Sequence, residues 1–319
     1  MKKVIFDTDI GIDDAMALLF LHNARDVELQ AITTVAGNAS IDDTTRNARY
    51  VCDRFAIEAR VHRGASGSLG AALGDGFPDF VHGKNGLGDI TFADPNHPEE
   101  KLPASDAIEE MAKSHPGELS VVAVGRLTNI ARAIQKCPEL PSLLRDIVVM
   151  GGVFMRNGQS GNVSPVAEAN MAGDPAAADI VMGSGASVTI VGLDVTQLTI
   201  MDETFIAELA ESAGDSGAFI HDITRHYFDF YQSIKKERAC PIHDSSAVAY
   251  LLRPDLYEID SGPVRVIDRG LAIGQTIMGR NNARYLSDGW EGRADVNACV
   301  NVDAAAVKSL YLDTLRLAR

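Results

Sequence analysis

Short apolar runs alternate with segments of helical periodicity, and this alternation limits the possible folds more than any other feature of the chain. The predicted strands are 4–6, 29–35, 119–124, 146–150 and 188–193. The predicted helices are 14–21 and 42–55, with two more that begin after Leu127 and Asp174. Because the strands lack polar–apolar alternation, we expect helices to cover both faces of the sheet. The order indicates βαβ units in an α/β fold with an open, mostly parallel, Rossmann-like sheet flanked by helices.

The rest of the chain fits the same domain. Residues 64–103 are rich in Gly, Pro, Asp and Asn and have no helical or strand period, which favours a long surface loop that could act as a lid. About fifty residues after Asp202 have a helical pattern, including the aromatic stretch 219–231. Short strands follow over 257–302, and an amphipathic helix is predicted over 303–317. No linker, charge block or repeat divides the sequence, so we predict one domain over residues 1–319.

The charge of the chain narrows the class of ligand. A formal net charge of −15 repels nucleic-acid polymers and anionic membrane surfaces, whereas small neutral ligands are compatible with it. The first residues contain no signal-peptide pattern, and no apolar run is long enough to cross a bilayer. The four cysteines are widely separated and have no metal-binding spacing. We therefore expect a cytoplasmic protein with reduced thiols that binds neither membranes nor nucleic acids.

Four aspartates lie within eight residues where the first strand turns into the first helix: Asp7, Asp9, Asp13 and Asp14. Residues two apart in a strand face the same side, so Asp7 and Asp9 should emerge together, and Gly11 permits a sharp turn. Such a group of carboxylates favours a divalent cation bound through oxygens, at the edge where open α/β sheets bind ligands. The alternative is a pair of helix caps with two solvated turn aspartates.

Two phosphate-binding patterns partly resemble segments of this chain. A haloacid-dehalogenase-like phosphatase also begins with Asp-x-Asp at a strand end and uses magnesium, but it requires Thr or Val where this chain has Gly11. A P-loop requires Gly-Lys-Ser/Thr, and the nearest approach is Gly83-Lys84-Asn85. Neither pattern is met in full.

The segment 7–15, D-T-D-I-G-I-D-D-A, resembles the signature D-x-D-P-G-x-D-D-A of the inosine-uridine-preferring nucleoside hydrolases, with Ile10 in place of the usual Pro. Four further segments match that family in the same order: 34–38, 124–129, 161–170 and 241–250. The resemblance implies hydrolysis of the N-glycosidic bond of ribonucleosides, with the active site at the C-terminal ends of the strands. It also implies a homodimer or homotetramer.

The resemblance further implies one calcium ion. Its ligands would be Asp9, Asp14, the backbone carbonyl of Val124, and Asp244. Asp9 would also be the general base, and Asp7 would support the site. Val124 ends a predicted buried strand, so its carbonyl can point into the crevice at the sheet edge. Without the resemblance, Asp244 would be the N-cap of a helix over 245–252.

The resemblance assigns the ribose to a set of polar residues and one methionine: Asp13, Asn38, Met150, Asn162, Glu168 and Asn170. Vicinal hydroxyls need several donors and acceptors, and amide and carboxylate side chains supply both. Without the resemblance, Asn162 and Asn170 could be loop residues that bond their own backbone.

At the base end, the resemblance implies that His243 protonates the leaving base at the mouth of the pocket. Tyr227 and Tyr231 lie four apart on one helical face and either close over the base or pack in the core. His82 either approaches the base or lies on the surface. We expect base preference to depend on residues 74–97 and on the helix around Tyr231. Two other functions remain open, a magnesium-dependent phosphatase and a catalytically silent ribose-binding homologue.

Overall fold

A computed structural model describes residues 1–72, 76–281 and 283–317. A ten-stranded sheet has the order β11-β10-β12-β7-β6-β5-β1-β2-β3-β4, and β8 and β9 form a separate antiparallel pair. The strands are β1 Lys2–Thr8, β2 Val27–Thr34, β3 Arg60–His62, β4 Glu99–Glu100, β5 Leu119–Ala123, β6 Asp146–Met150, β7 Val188–Val191, β8 Ile200–Asp202, β9 Ala239–Pro241, β10 Tyr257–Val266, β11 Thr276–Met278 and β12 Asp295–Val302.

The sheet is parallel from β4 to β12, and only the pairs that β10 makes with β12 and β11 are antiparallel. The predicted open, mostly parallel α/β sheet is therefore confirmed. β1 lies at its centre between β2 and β5, so the acidic turn that follows β1 is placed at the middle of the carboxyl edge. Switch points at this edge are where open α/β sheets bind ligands.

Helices cover both faces, and two buried apolar clusters lie against the sheet. The helices are α1 Ile12–Asn23, α2 Ile41–Phe55, α3 Asp79–His82, α4 Ala104–Ser114, α5 Thr128–Lys136, α6 Leu140–Leu143, α7 Ala169–Gly173, α8 Pro175–Met182, α9 Leu193–Thr196, α10 Glu203–Ser212, α11 Gly214–Lys235, α12 His243–Leu252 and α13 Ala304–Arg316, with a 3₁₀ turn at Pro254–Leu256. α1 is buried on nearly every side because it packs against β2 and against the helices α11, α12 and α13. No helix among the described residues is long and apolar enough to cross a bilayer.

Two sequence predictions need correction. The segment 64–103 is not only a surface loop, because it contains α3 and β4, and Leu87 is fully buried. Its residues 73–75 lie outside the described residues. The strand predicted over 188–193 ends at Val191, and the chain turns at once into the short helix α9. That turn brings α9 to the same edge of the sheet as the acidic turn.

Candidate functional site

The turn between β1 and α1 is closed by the side chain of Asp14. Its carboxylate accepts hydrogen bonds from the Thr8 hydroxyl at 2.6 Å, the Gly11 amide at 2.9 Å and the Asn38 side-chain amide at 2.8 Å. These bonds hold the turn although Ile10 lacks the fixed φ of proline. Asp14 therefore anchors the start of α1 to the end of β1.

Asp9 lies just beyond the end of β1. Its Oδ2 accepts a hydrogen bond from the Asn38 backbone amide at 2.8 Å, while Oδ1 is buried with no hydrogen-bond partner among the described residues. Gly37 and Gly125 border the carboxylate so closely that a Cβ on either would lie 1.9 and 2.7 Å from its oxygens. Burial, and next the charge of Asp14, raise the pKa of Asp9 well above its ordinary value.

The Asp7 side chain has other hydrogen-bond partners than those of Asp9 and Asp14. Its Oδ1 accepts hydrogen bonds from the Thr33 hydroxyl at 2.5 Å and the Asn129 side-chain amide at 2.8 Å. Burial raises the pKa of Asp7 to about 7. Asp7 thus ties β1 to β2 and to the start of α5, and it does not line the cavity described below.

Three buried carboxylates converge although they come from opposite ends of the chain. Asp13, Asp14 and Asp244 each place an oxygen within 4.8 Å of the others. Asp244 does so from the first turn of α12, whose N-cap is Ile242, so the N-cap alternative for Asp244 is wrong. Burial, and then neighbouring carboxylates, raise the pKa of Asp13 to about 8 and that of Asp244 well above its ordinary value. A hard divalent cation would offset this repulsion, and all the donors are oxygens.

The next part of the site comes from the ends of β5 and β6 and from α7. The Asn170 side-chain amide donates to the Val124 carbonyl at 2.7 Å and to the Met150 carbonyl at 3.2 Å. The buried Glu168 carboxylate caps α7 by accepting from the amides of Asn170 and Met171. Burial raises its pKa despite these bonds.

Asn162 comes from the loop before α7 and is exposed. Its Oδ1 accepts from the Ala169 amide at 3.0 Å, its NH₂ group makes no hydrogen bond within the described part of the chain, and the residue lines the cavity described below. The alternative, in which Asn162 only bonds the backbone of its own loop, therefore accounts for its Oδ1 atom but not for its NH₂ group. The Asn170 side chain instead bonds carbonyls at the ends of β5 and β6, and so it links α7 to both strands.

The opposite end is aromatic. Tyr227 and Tyr231 of α11 are buried, with ring centroids 5.0 Å apart, and the Tyr227 hydroxyl donates to Asp13 Oδ2 at 3.3 Å. His82 is buried rather than on the surface, and its Nδ1 accepts from the Ile12 amide at 3.2 Å. Burial lowers the pKa of His82 to about 4. A neutral ring in that tautomer keeps its proton on Nε2.

His243 begins α12 and is buried between two hydroxyl groups. Its Nδ1 lies 2.8 Å from Thr196 Oγ1, and its Nε2 lies 3.2 Å from the Tyr231 hydroxyl. Burial lowers the pKa of His243 to about 3, so the imidazole is neutral at pH 7. The His243 ring therefore acts as a neutral hydrogen-bonding group rather than as a positively charged one.

One cavity of about 390 Å³ joins these parts. Most of the residues predicted from the sequence line it: Asp13, Asn38, His82, Val124, Met150, Asn162, Glu168, Asn170, Tyr227, Tyr231, His243 and Asp244. Asp9 and Asp14 lie beneath its floor, in contact with Asn38. Other lining residues were not predicted: Phe80, Gln197, Phe230, Ile234 and Lys235 among them. The i, i+3 and i+4 spacing of 227, 230, 231 and 234 could have identified this face of α11.

Comparison with known proteins agrees with this arrangement. The profile of the inosine-uridine preferring nucleoside hydrolase family matches residues 4–309. The chain is 37% identical to Uridine nucleosidase 1 of Arabidopsis thaliana over 309 residues, 96% of this chain and 90% of that protein. It is 35% identical to Non-specific ribonucleoside hydrolase RihC of Escherichia coli O9:H4 (strain HS), over 100% of both chains. The solved Purine-Preferring Ribonucleoside Hydrolase from Gardnerella vaginalis has a TM-score of 0.90 at 32% identity, with 99% of each chain covered.

The family profile covers nearly the whole chain, and the relatives match it from end to end. Fold, cavity and sequence similarity therefore agree, and the chain belongs to the inosine-uridine preferring nucleoside hydrolase family.

Proposed function

We propose that this ribonucleoside hydrolase, acting as one domain over residues 1–319, uses the cavity to cleave purine or pyrimidine ribonucleosides into free base and ribose. One observation carries the proposal: a single cavity has buried carboxylates at its floor, amide and carboxylate groups along its wall, and aromatic hydroxyls with His243 at its other end. The carboxylates suit an activated water, the amide and carboxylate groups of the wall suit a ribose, and the aromatic end with His243 suits a departing base.

Free ribose released from inosine and from uridine tests the proposal directly. Phosphate released from a phosphomonoester would favour the magnesium-dependent phosphatase instead. Ribose binding in calorimetry without turnover of either nucleoside would favour the silent binding homologue. The relatives named above carry uridine, non-specific and purine-preferring names, so a panel of ribosides is needed to assign the base preference.

The acidic residues at and beneath the cavity floor support a bound calcium ion, because two of its proposed ligands, Asp14 and Asp244, lie in the converging group of carboxylates. Asp9, Asp14, the Val124 carbonyl and Asp244 would hold it, and all four offer oxygen, the donor that calcium prefers. Asp9 Oδ1 is buried and has no hydrogen-bond partner in the part of the chain that the structure describes, and the pKa values of Asp9 and Asp244 are raised. Both features support this assignment, because both indicate buried charge that needs compensation. When bound, the ion would lower the pKa of the attacking water.

Asp9 is the residue we assign as general base. Its Oδ2 is held by the Asn38 amide, which leaves Oδ1 to accept the proton of the attacking water. The wall of the cavity would hold the sugar in place through Asp13, Asn162, Glu168 and Asn170, with Asn38 and Met150 beside it. The negative charge around the sugar favours the positive charge that develops on the ring during hydrolysis.

At the other end, we assign His243 and Tyr231 to the leaving base. Because the imidazole is neutral, its contact with the Tyr231 hydroxyl makes a pair of donors that can stabilise negative charge building on the base. Tyr227 connects this end to the ribose end through Asp13, and His82 borders the same space.

His243→Ala is expected to reduce the turnover of inosine roughly tenfold to a hundredfold, at the lower end of the range for acid catalysis. A nitrophenyl riboside, whose leaving group departs without help, should be affected much less. Steady-state kcat on both substrates gives the comparison. Equal losses on the two would remove His243 from leaving-group assistance.

Gly37→Ala is expected to reduce turnover on both substrates by roughly tenfold to a hundredfold, because displacing a catalytic group by about 1 Å has effects of that size. The new Cβ would lie 1.9 Å from Asp9 Oδ2 and would force the carboxylate to move. Gly67→Ala is the matched control, since a Cβ there meets nothing within 4 Å. Wild-type kcat for Gly37→Ala would contradict the assigned position of Asp9.

The family resemblance also leads us to propose a cytoplasmic homodimer or homotetramer. Light scattering coupled to size-exclusion chromatography measures the number of subunits directly. A monomer at micromolar concentration would exclude both assemblies.

A further inference from the structure

Thr196 ends α9 at the carboxyl edge of the sheet and is fully buried behind the cavity wall. Its Oγ1 lies 2.8 Å from His243 Nδ1. On the far side of the ring, Nε2 lies 3.2 Å from the hydroxyl of Tyr231, which lines the cavity. The three side chains therefore form one row from the protein interior to the place proposed for the leaving base.

The direction of the first hydrogen bond follows from the surroundings of the Thr196 hydroxyl. Several other buried threonines donate to an oxygen acceptor, as Thr224 does to the Ile220 carbonyl at 2.7 Å and Thr128 does to the Asp174 carboxylate at 2.7 Å. Among the described residues, His243 Nδ1 is the only hydrogen-bond partner of the Thr196 hydroxyl. A buried hydroxyl hydrogen needs an acceptor, so the hydroxyl donates and Nδ1 accepts.

The ring nitrogen that accepts from Thr196 cannot itself hold a proton, so the ring proton lies on the other nitrogen, Nε2. We propose that Thr196 is a positioning residue whose hydroxyl keeps the His243 proton on Nε2, pointing toward Tyr231 and the cavity. The Tyr231 oxygen then accepts from Nε2, and its own hydrogen is free to point at the base. This inference rests on the proposed function of the cavity, because the direction of the hydrogen bonds from Thr196 through His243 to Tyr231 matters only if a base leaves at the cavity end.

The backbone holds His243 in place independently of this side-chain contact. The Ile242 amide donates to the Thr199 carbonyl at 3.0 Å, and Ile200 pairs with Pro241 in the β8–β9 ladder. Removing the Thr196 hydroxyl should therefore leave the ring where it is and change only which nitrogen carries the proton.

The test compares Thr196→Val, which keeps the shape of the side chain, with Thr196→Ser, which keeps the hydroxyl. Thr199→Val is the matched control, because the Thr199 hydroxyl is equally buried and has no hydrogen-bond partner among the described residues. Nitrogen-15 NMR of labelled histidine reports which ring nitrogen is protonated. The spectrum of His243→Asn identifies the His243 signal among those of the eight histidines.

In the wild-type protein we expect the proton on Nε2, and in Thr196→Val we expect it to shift at least partly to Nδ1. Turnover of inosine should fall about threefold to tenfold in Thr196→Val, the effect of one net hydrogen bond, with KM within about twofold. Turnover of a nitrophenyl riboside should stay within about twofold, because its leaving group needs no donor. Thr196→Ser should recover most of the inosine turnover, and Thr199→Val should match the wild type.

A wild-type proton on Nδ1, or equal losses on both substrates in Thr196→Val, would overturn the assignment of Thr196. Those outcomes differ from a failure of the proposed function, in which the wild-type protein would release ribose from neither substrate. The NMR result distinguishes the two cases because it requires no turnover.

Discussion

Asp9→Asn is expected to reduce turnover of inosine by a factor of roughly 10² to 10⁴, the range covered by general-base catalysis. The substitution keeps the size of the side chain, and the amide oxygen can still accept from the Asn38 backbone amide. It removes the carboxylate oxygen that is buried without a partner and that would take the proton. The measurement is kcat on inosine, together with thermal unfolding to show that the fold persists.

Asp7→Asn is the control for this experiment. Asp7 is equally buried two residues earlier, and burial raises its pKa to about 7, so about half of its carboxyl groups are already neutral at pH 7. The amide oxygen of Asn can keep the hydrogen bonds from Thr33 and Asn129, and the NH₂ group takes the place of Oδ2, which has no hydrogen-bond partner among the described residues. We expect turnover within about threefold of the wild type for Asp7→Asn, because hydrogen-bonded neutral substitutions of this kind cost little. Wild-type turnover in Asp9→Asn would refute the assignment of the base.

Removal of divalent ions is expected to have the second large effect. A chelator that strips calcium should lower kcat by roughly 10³-fold or more, since the pKa of unbound water is far above that of metal-bound water. Calcium in excess should restore activity. It should also raise the unfolding temperature, because a ligand that binds only the folded state stabilises it by about 2.7 kcal/mol at a hundredfold excess over Kd.

Asp244→Asn provides the matched variant, because it removes one charge from the cluster formed with Asp13 and Asp14. Calorimetry should show weaker calcium binding than in the wild type. Glu291→Gln changes an exposed carboxylate and should leave both affinity and turnover unchanged. Full activity after chelation, with calcium binding undetectable, would contradict a role for the ion.

The parts of the site that could be predicted from the sequence follow from one rule. Residues that follow the ends of parallel strands meet at the carboxyl edge, which is why Asp9 and Val124 could be placed together although they follow different strands. The strand 146–150 was predicted with its observed bounds because all of its residues but the first are buried and apolar. Periodicity likewise located α2 and placed Tyr227 and Tyr231 on one face of α11.

Other parts depend on contacts that no local pattern contains. The burial of His82 requires α3 to fold back against α11, and the loop around it has too much Gly and Pro for its position to be read from a period. Thr196 was missed because the strand before it was predicted to run on to residue 193, which hid the helix that carries it. Because functional residues follow the ends of parallel strands, a strand predicted to end at Val191 would have made Thr196 a candidate.

The three converging carboxylates also have a consequence for how the chain is made. Asp244 is synthesised about 230 residues after Asp14, so the three carboxylates cannot converge until the segment that carries Asp244 has left the ribosome. Under the proposed calcium binding, the ion could reach its full set of carboxylates only after α12 has formed. A truncated translation product that ends before α12 would lack Asp244 and should bind calcium more weakly.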